Sequence, residues 1–147
     1  MMRIAALLTL WLCLLVGGAA RAEEYFDRYH SDIALAKNGT LTVTETIRVY
    51  AEGNQIRRGI YRDFPLTFVD AEGREREVGF KILSVERDGR PEPYRTESIR
   101  RGIRIYFGSA DVLLDPGFHQ YRLTYETTRQ IRFFDTHDEL FWNVTGT

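Results

Sequence analysis

From Leu41 to Val49 apolar and polar side chains alternate. Leu41, Val43, Ile47 and Val49 take one parity, and Thr42, Thr44, Thr46 and Arg48 the other, the period of a half-buried β-strand. Ile33 and Leu35 alternate in the same way ahead of Asn38-Gly39. That dipeptide favours a two-residue turn in which both positions need positive φ, so the stretch predicts a hairpin. "EVGFKILSVERDG" reads as a strand that ends at an Asp88-Gly89 turn, and the two-residue period then returns. In "GIRIYFG" it sets Ile103, Ile105 and Phe107 against Arg104 and Tyr106, and in "HQYRLTYETT" it aligns Tyr121, Leu123 and Tyr125. "IRFFDTHDELFWNVTG" closes the chain. No stretch after residue 22 sustains a 3.6-residue apolar period, and turn signals recur at short intervals. The prediction is an all-β, antiparallel sandwich or barrel.

One feature points to the sandwich. Leu114-Asp115-Pro116-Gly117 precedes Tyr121 by a few residues, like the tyrosine corner of immunoglobulin- and fibronectin-type domains, whose hydroxyl bonds to the upstream backbone. One residue breaks the alternation. Glu45 shares the parity of Leu41, Val43, Ile47 and Val49 and is expected to be buried, where an unpaired charge is costly. A guanidinium matches a carboxylate with two parallel hydrogen bonds, and the next segment, "IRRGIYRDFP" (56–65), offers Arg57, Arg58 and Arg62. If extended, it places Arg58 and Arg62 on one side with Ile60 and Phe64, and Arg57 and Asp63 on the other. Gly59 permits a turn and Pro65 ends it. A second reading of the same residues stays open. Arg57, Arg58, Tyr61 and Arg62 are candidate binding residues for an anion or a membrane surface.

The N-terminus changes the cellular picture. Arg3, the apolar run Ala5–Val16 and Ala20-Arg21-Ala22 make the pattern of a cleavable signal helix, so residues 1–22 are expected to be a signal peptide. An uncleaved anchor is the alternative. Residues 23–147 form one domain of 125 residues, an ordinary domain size. They carry 18 basic and 21 acidic side chains, a net charge of −3 that does not favour nucleic acid. Cys13 is the only cysteine. The exported part therefore has no disulfide framework, thiol nucleophile or thiolate metal site.

Candidate chemistry is sparse. If the chain is extended, Asp135, His137 and Glu139 share one side and are candidate metal ligands. Ser31, Ser84, Ser98 and Ser109 lie in no Gly-x-Ser-x-Gly elbow. Glu45 with Asp135 or Glu139 makes a conceivable carboxylate pair for a hydrolase. Tyr50, Tyr61, Tyr94 and Tyr106 are expected on outward faces, packing across strands or stacking on envelope sugars.

Three stretches, "NGTLTVTETI" (38–47), "RRGIYRDFP" (57–65) and "DELFWNVTG" (138–146), together resemble the N-terminal extracytoplasmic domain of bacterial predicted membrane proteins, domain of unknown function 2207. The resemblance spans the whole expected mature chain. It implies an exported β-rich domain, normally tethered at the outer side of the cytoplasmic membrane or in the periplasm, with no established activity, cofactor or catalytic residue. It also implies that the pattern continues past Thr147 with further strands and membrane helices, so the sandwich is expected to be incomplete at its C-terminus. The resulting expectation is a non-enzymatic interaction module without a cofactor. Its partner would be an envelope protein, an envelope polymer or the lipid surface, and membrane association would come through the missing part or a retained signal. A carboxylate- or metal-dependent envelope hydrolase and a membrane-surface module are the alternatives.

Overall fold

The computed structural model describes residues 23–70, 72–140 and 142. The expected signal segment and the closing residues 143–147 lie outside them. The described residues are all β, with only antiparallel pairings and no helix. A five-stranded sheet joins β1 (Tyr25–Leu35), β2 (Leu41–Ala51), β10 (Gly117–Thr127), β6 (Phe80–Arg87) and β7 (Arg90–Pro91), in that spatial order. A three-stranded sheet orders β3 (Tyr61–Pro65), β9 (Gly102–Phe107) and β8 (Tyr94–Ile99). Two small hairpins complete the fold: β4 (Thr67–Val69) with β5 (Glu75–Glu77), and β11 (Ile131–Phe133) with β12 (Asp138–Leu140).

The larger sheets share one apolar core. β2 alternates buried and half-buried positions along its whole length. It contributes Leu41, Val43, Ile47 and Val49, while β10 contributes Tyr121, Leu123 and Tyr125. Phe64, Ile105 and Phe107 enter from the three-stranded sheet. Burying these side chains is the main favourable term in folding. β1, although its parity carries Ile33 and Leu35 as expected, leaves both exposed. It is the edge strand of the wider sheet, and among its side chains Tyr29 packs against the core.

The two Gly-containing turns differ. Asp88 and Gly89 both take positive φ (52° and 77°) between paired Arg87 and Arg90, a true two-residue turn. At Asn38-Gly39 only Gly39 does so, with φ 82°. The connection is a five-residue loop closed by Ala36 N–H donating to the Thr40 carbonyl at 2.9 Å. A longer loop needs one left-handed residue, and Asn38 instead accepts a hydrogen bond from Thr40 N–H at 3.1 Å.

The tyrosine-corner expectation fails. Tyr121 lies mid-strand, and its hydroxyl is buried without a hydrogen-bond partner among the described residues. His119 makes the bond back instead, its Nε2 standing 2.8 Å from the Asp115 carbonyl and its Nδ1 3.1 Å from Asp88 Oδ2. The decapeptide 56–65 contains a strand, β3, and this strand positions the site.

Candidate functional site

β3 carries Arg62 inward. Glu45, fully buried, receives Arg62 Nε on Oε2 at 2.9 Å and Nη2 on Oε1 at 3.1 Å, and the Tyr125 hydroxyl donates to Oε1 at 2.9 Å. Arg62 spends its remaining donors on the Asp63 carbonyl at 2.8 Å and, at 3.5 Å, on the Tyr29 hydroxyl. Burial disfavours the Arg62 charge, but the hydrogen bonds and charge of Glu45 outweigh it and raise the pKa above the usual arginine value. Burial, reinforced by the Glu45 charge, raises the Tyr125 hydroxyl as well. The cluster is a fully partnered polar centre inside an apolar core. Its four side chains come from four strands, and the side chains hydrogen-bonded to Glu45 among the described residues are those of Arg62 and Tyr125.

The rest of the decapeptide works mainly through its backbone. Ile56 N–H, with those of Glu52, Asn54 and Gln55, donates to the Glu24 carboxylate at 2.6–3.0 Å. Partial burial opposes the Glu24 charge, but these donors, that of Gln55 foremost, lower its pKa from an ordinary 4.5 to about 2. The Arg57 carbonyl accepts from Leu114 N–H at 2.8 Å, and the Ile60 carbonyl from Phe107 N–H at 2.9 Å. Gly59 has φ 140°, and a Cβ there would overlap the Phe107 carbonyl oxygen, so only glycine admits this approach. Arg57 and Arg58 themselves are exposed and make no hydrogen bond or ion pair with Glu45 among the described residues. The structure therefore divides the candidate arginines: Arg62 belongs to the ion pair, and Arg57 and Arg58 to the surface with Tyr61.

On the outer face Asp63 receives Arg104 Nε and Nη2, both at 2.7 Å, and the Arg104 guanidinium lies 4.2 Å from the centroid of the Tyr61 ring. Arg95 covers the Tyr106 ring at 3.6 Å, and the Tyr106 hydroxyl donates to Glu97 at 3.0 Å. These tyrosines and arginines form cross-strand stacks.

At the end of the molecule where β3 finishes, a cleft of about 510 Å³ opens. Its apolar lining includes Phe68, Val69, Val78 and Trp142, and Arg100, Arg101 and Arg129 stand along it. Arg101 pairs with Glu75 at 3.3 Å and Arg129 reaches the Glu77 carbonyl at 3.4 Å, whereas the Arg100 side chain has no hydrogen bond or ion pair among the described residues. Thr67 Oγ1 and Trp142 Nε1, also in the lining, are buried without hydrogen-bond partners among the described residues. Neither this cleft nor the Glu24 cradle is marked by any motif, since both are assembled from residues distant in sequence.

The structure does not assemble Asp135, His137 and Glu139. Their common side required an extended chain, but Phe134 N–H donates to the His137 carbonyl at 2.9 Å and reverses the chain between β11 and β12. Glu139 stands in register with Arg132, and the His137 ring stacks on Phe134. Among the described residues no three His, Cys, Asp or Glu side chains group as metal ligands.

The chain belongs to the family described as predicted membrane protein (DUF2207) N-terminal domain, which it matches over residues 25–147. It is similar to the Uncharacterized protein YciQ of Escherichia coli (strain K12), 30% identical over 124 residues. That match covers 84% of this chain and 20% of YciQ, so the chain spans about one-fifth of that relative's length. No solved structure matches.

Proposed function

We propose that this domain is a non-enzymatic binding module of a membrane protein, an immunoglobulin/fibronectin-like sandwich held on the outer side of the cytoplasmic membrane, and that the arginine-rimmed cleft takes its ligand. The observation carrying this reading is the contrast between the two polar constellations. Glu45 and Arg62 are closed off and bonded to each other, so the carboxylate is spent on structure. The cleft is open, with a guanidinium and two polar atoms that find no partner among the described residues, the pattern of a site lacking its partner. Two sheets around one core support the sandwich. The leader pattern and a cysteine-free sequence after residue 22 support export.

The lining selects the ligand class: an anionic envelope polymer whose carboxylates or phosphates meet Arg100 and Arg101 while its apolar portion lies on Phe68 and Trp142. The test uses Trp142 as reporter in a Trp11→Phe background, because the chain has only two tryptophans. Polyphosphate and soluble peptidoglycan fragments are titrated. Saturable change in Trp142 emission is expected, weakened about tenfold or more by Arg100→Glu with Arg101→Glu. No saturable response to either polymer, or a response indifferent to charge reversal, overturns the reading.

A further inference from the structure

We infer that the opposite end of the molecule, where β1 begins, is a lipid-docking surface that seats the domain on the bilayer. The inference is independent of the cleft and of its ligand. Exposed apolar side chains gather at this end. Tyr25 stacks on Tyr50 with centroids 5.6 Å apart, and Phe118 meets Tyr50 edge-on at 5.0 Å. Phe26 is 65% exposed, and Val112 and Leu113, in the loop leading into β10, are 52% and 60% exposed. These parts share one end because Gly117 pairs with Ala51 and Leu114 N–H bonds the Arg57 carbonyl at 2.8 Å. Arginines border the patch. The Arg48 guanidinium lies 4.1 Å from the Phe118 ring centroid, and Arg57 and Arg58 project from the adjoining loop.

Rings with polar tips, aliphatic side chains on a loop and arginines with apolar stems suit the headgroup–acyl boundary of a bilayer. Charge alone would not hold it. Asp27 pairs with Arg48 at 3.4 Å and Asp111 lies in the same loop, so insertion of Phe26, Val112 and Leu113 has to supply the affinity. A packing ladder accounts for Tyr50 and Phe118, but not for the exposed loop pair or Phe26.

The occupant is indicated by the chain that precedes the domain. Four backbone N–H groups clamp Glu24 to residues 52–56 beside this patch. Only seven residues, Gly17 to Glu23, separate it from the apolar run ending at Val16. Seven residues span at most about 25 Å. In the alternative in which the leader stays uncleaved, this end of the domain is held within about 25 Å of the lipid surface, and the turn at Asn38 is the far end.

The test uses the full chain, with Cys13→Ser, inserted in vesicles of phosphatidylethanolamine and phosphatidylglycerol. An environment-sensitive dye is placed through Leu113→Cys or, at the far end, through Lys37→Cys. Brominated lipids are expected to quench the dye at 113 at least about twofold more than at 37, with iodide in the buffer showing the reverse. Adding Phe26→Ser and Val112→Ser should remove the difference. Melting measured alongside should be unchanged, because both side chains are exposed. Equal quenching at the two positions overturns the inference. So does shielding of position 113 from lipid and iodide alike, which would place a second protein copy there. A lipid contact indifferent to Phe26 and Val112 overturns it too.

Discussion

Arg62 and Asp63 are consecutive on β3 and point to opposite faces, and each completes a two-pronged pair between a guanidinium and a carboxylate. The outer pair, Arg104 with Asp63, is the shorter, at 2.7 Å on both prongs against 2.9 and 3.1 Å for Arg62 with Glu45. Yet its side chains are 30% and 35% exposed, whereas the inner ones are 11% and 0% exposed. Bond length does not rank them. Water screens the outer charges whether or not they meet, while the inner charges have lost their water and depend on each other and on Tyr29 and Tyr125. The inner pair is therefore the one whose disruption the fold should not tolerate.

The largest effect is expected from breaking that dependence on one side. Glu45→Ala leaves the Arg62 guanidinium inside the core and should cost about 3–5 kcal/mol, read from chemical denaturation; a variant as stable as the parent would remove the structural role assigned to Glu45. A double change sharpens the comparison. Glu45→Leu with Arg62→Met removes both charges and should cost less than Glu45→Ala alone, because the penalty lies in the orphaned charge more than in the lost attraction.

Tyr125→Phe comes next. It removes one hydrogen bond to a charged acceptor, and the Arg62 bonds to Glu45 remain. The expected loss is about 1.5–3 kcal/mol. A loss as large as that of Glu45→Ala would mean that Tyr125 holds the carboxylate in place, with Arg62 secondary.

The inner site was half legible in the sequence. Strand parity alone puts Glu45 among Leu41, Val43, Ile47 and Val49, because the two-residue period is geometric and local. Which of three arginines reaches it is not local. That depends on where β3 starts, and it starts at Tyr61 because Gly59 lets the chain pass under the Phe107 carbonyl. The sheets were readable where alternation held, in β2, β9 and β10, and β6 was readable as a strand ending at Asp88-Gly89. The short strands β3, β4, β5 and β7 were not, since two to five residues carry too little period. The cleft and the Glu24 cradle left no trace in the pattern, because each joins residues far apart along the chain. The Asp135–His137–Glu139 reading failed because parity was applied across a turn.

For the outer pair the expected effect is small. Asp63→Ala should cost about 0.2–1 kcal/mol, and less in high salt. The hydrogen bond from Arg104 holds the Asp63 carboxyl below its ordinary 3.8, against a smaller opposing effect of burial. A carboxyl with a depressed folded pKa contributes stability above its unfolded pKa and loses it as pH falls. The gap between wild type and Asp63→Ala should therefore close as pH drops below about 3.8. Thermal melts across that range test it, and a gap that widens in acid would contradict the pairing.

The smallest effect separates the decapeptide's side chains from its backbone. Arg57 and Arg58 hold their surroundings through carbonyl oxygens, one bonded to Leu114 N–H and the other facing Gly108, and alanine keeps both. Their exposed guanidinium groups have no hydrogen bond or ion pair among the described residues. Arg57→Ala and Arg58→Ala should each stay within about 0.5 kcal/mol of wild type, although the same residue type four positions on is bound into the core. If either change instead matched the loss from Tyr125→Phe, the division of this segment into one structural arginine and two surface arginines would be wrong, and Glu45 would have to be stabilised from further away than Arg62.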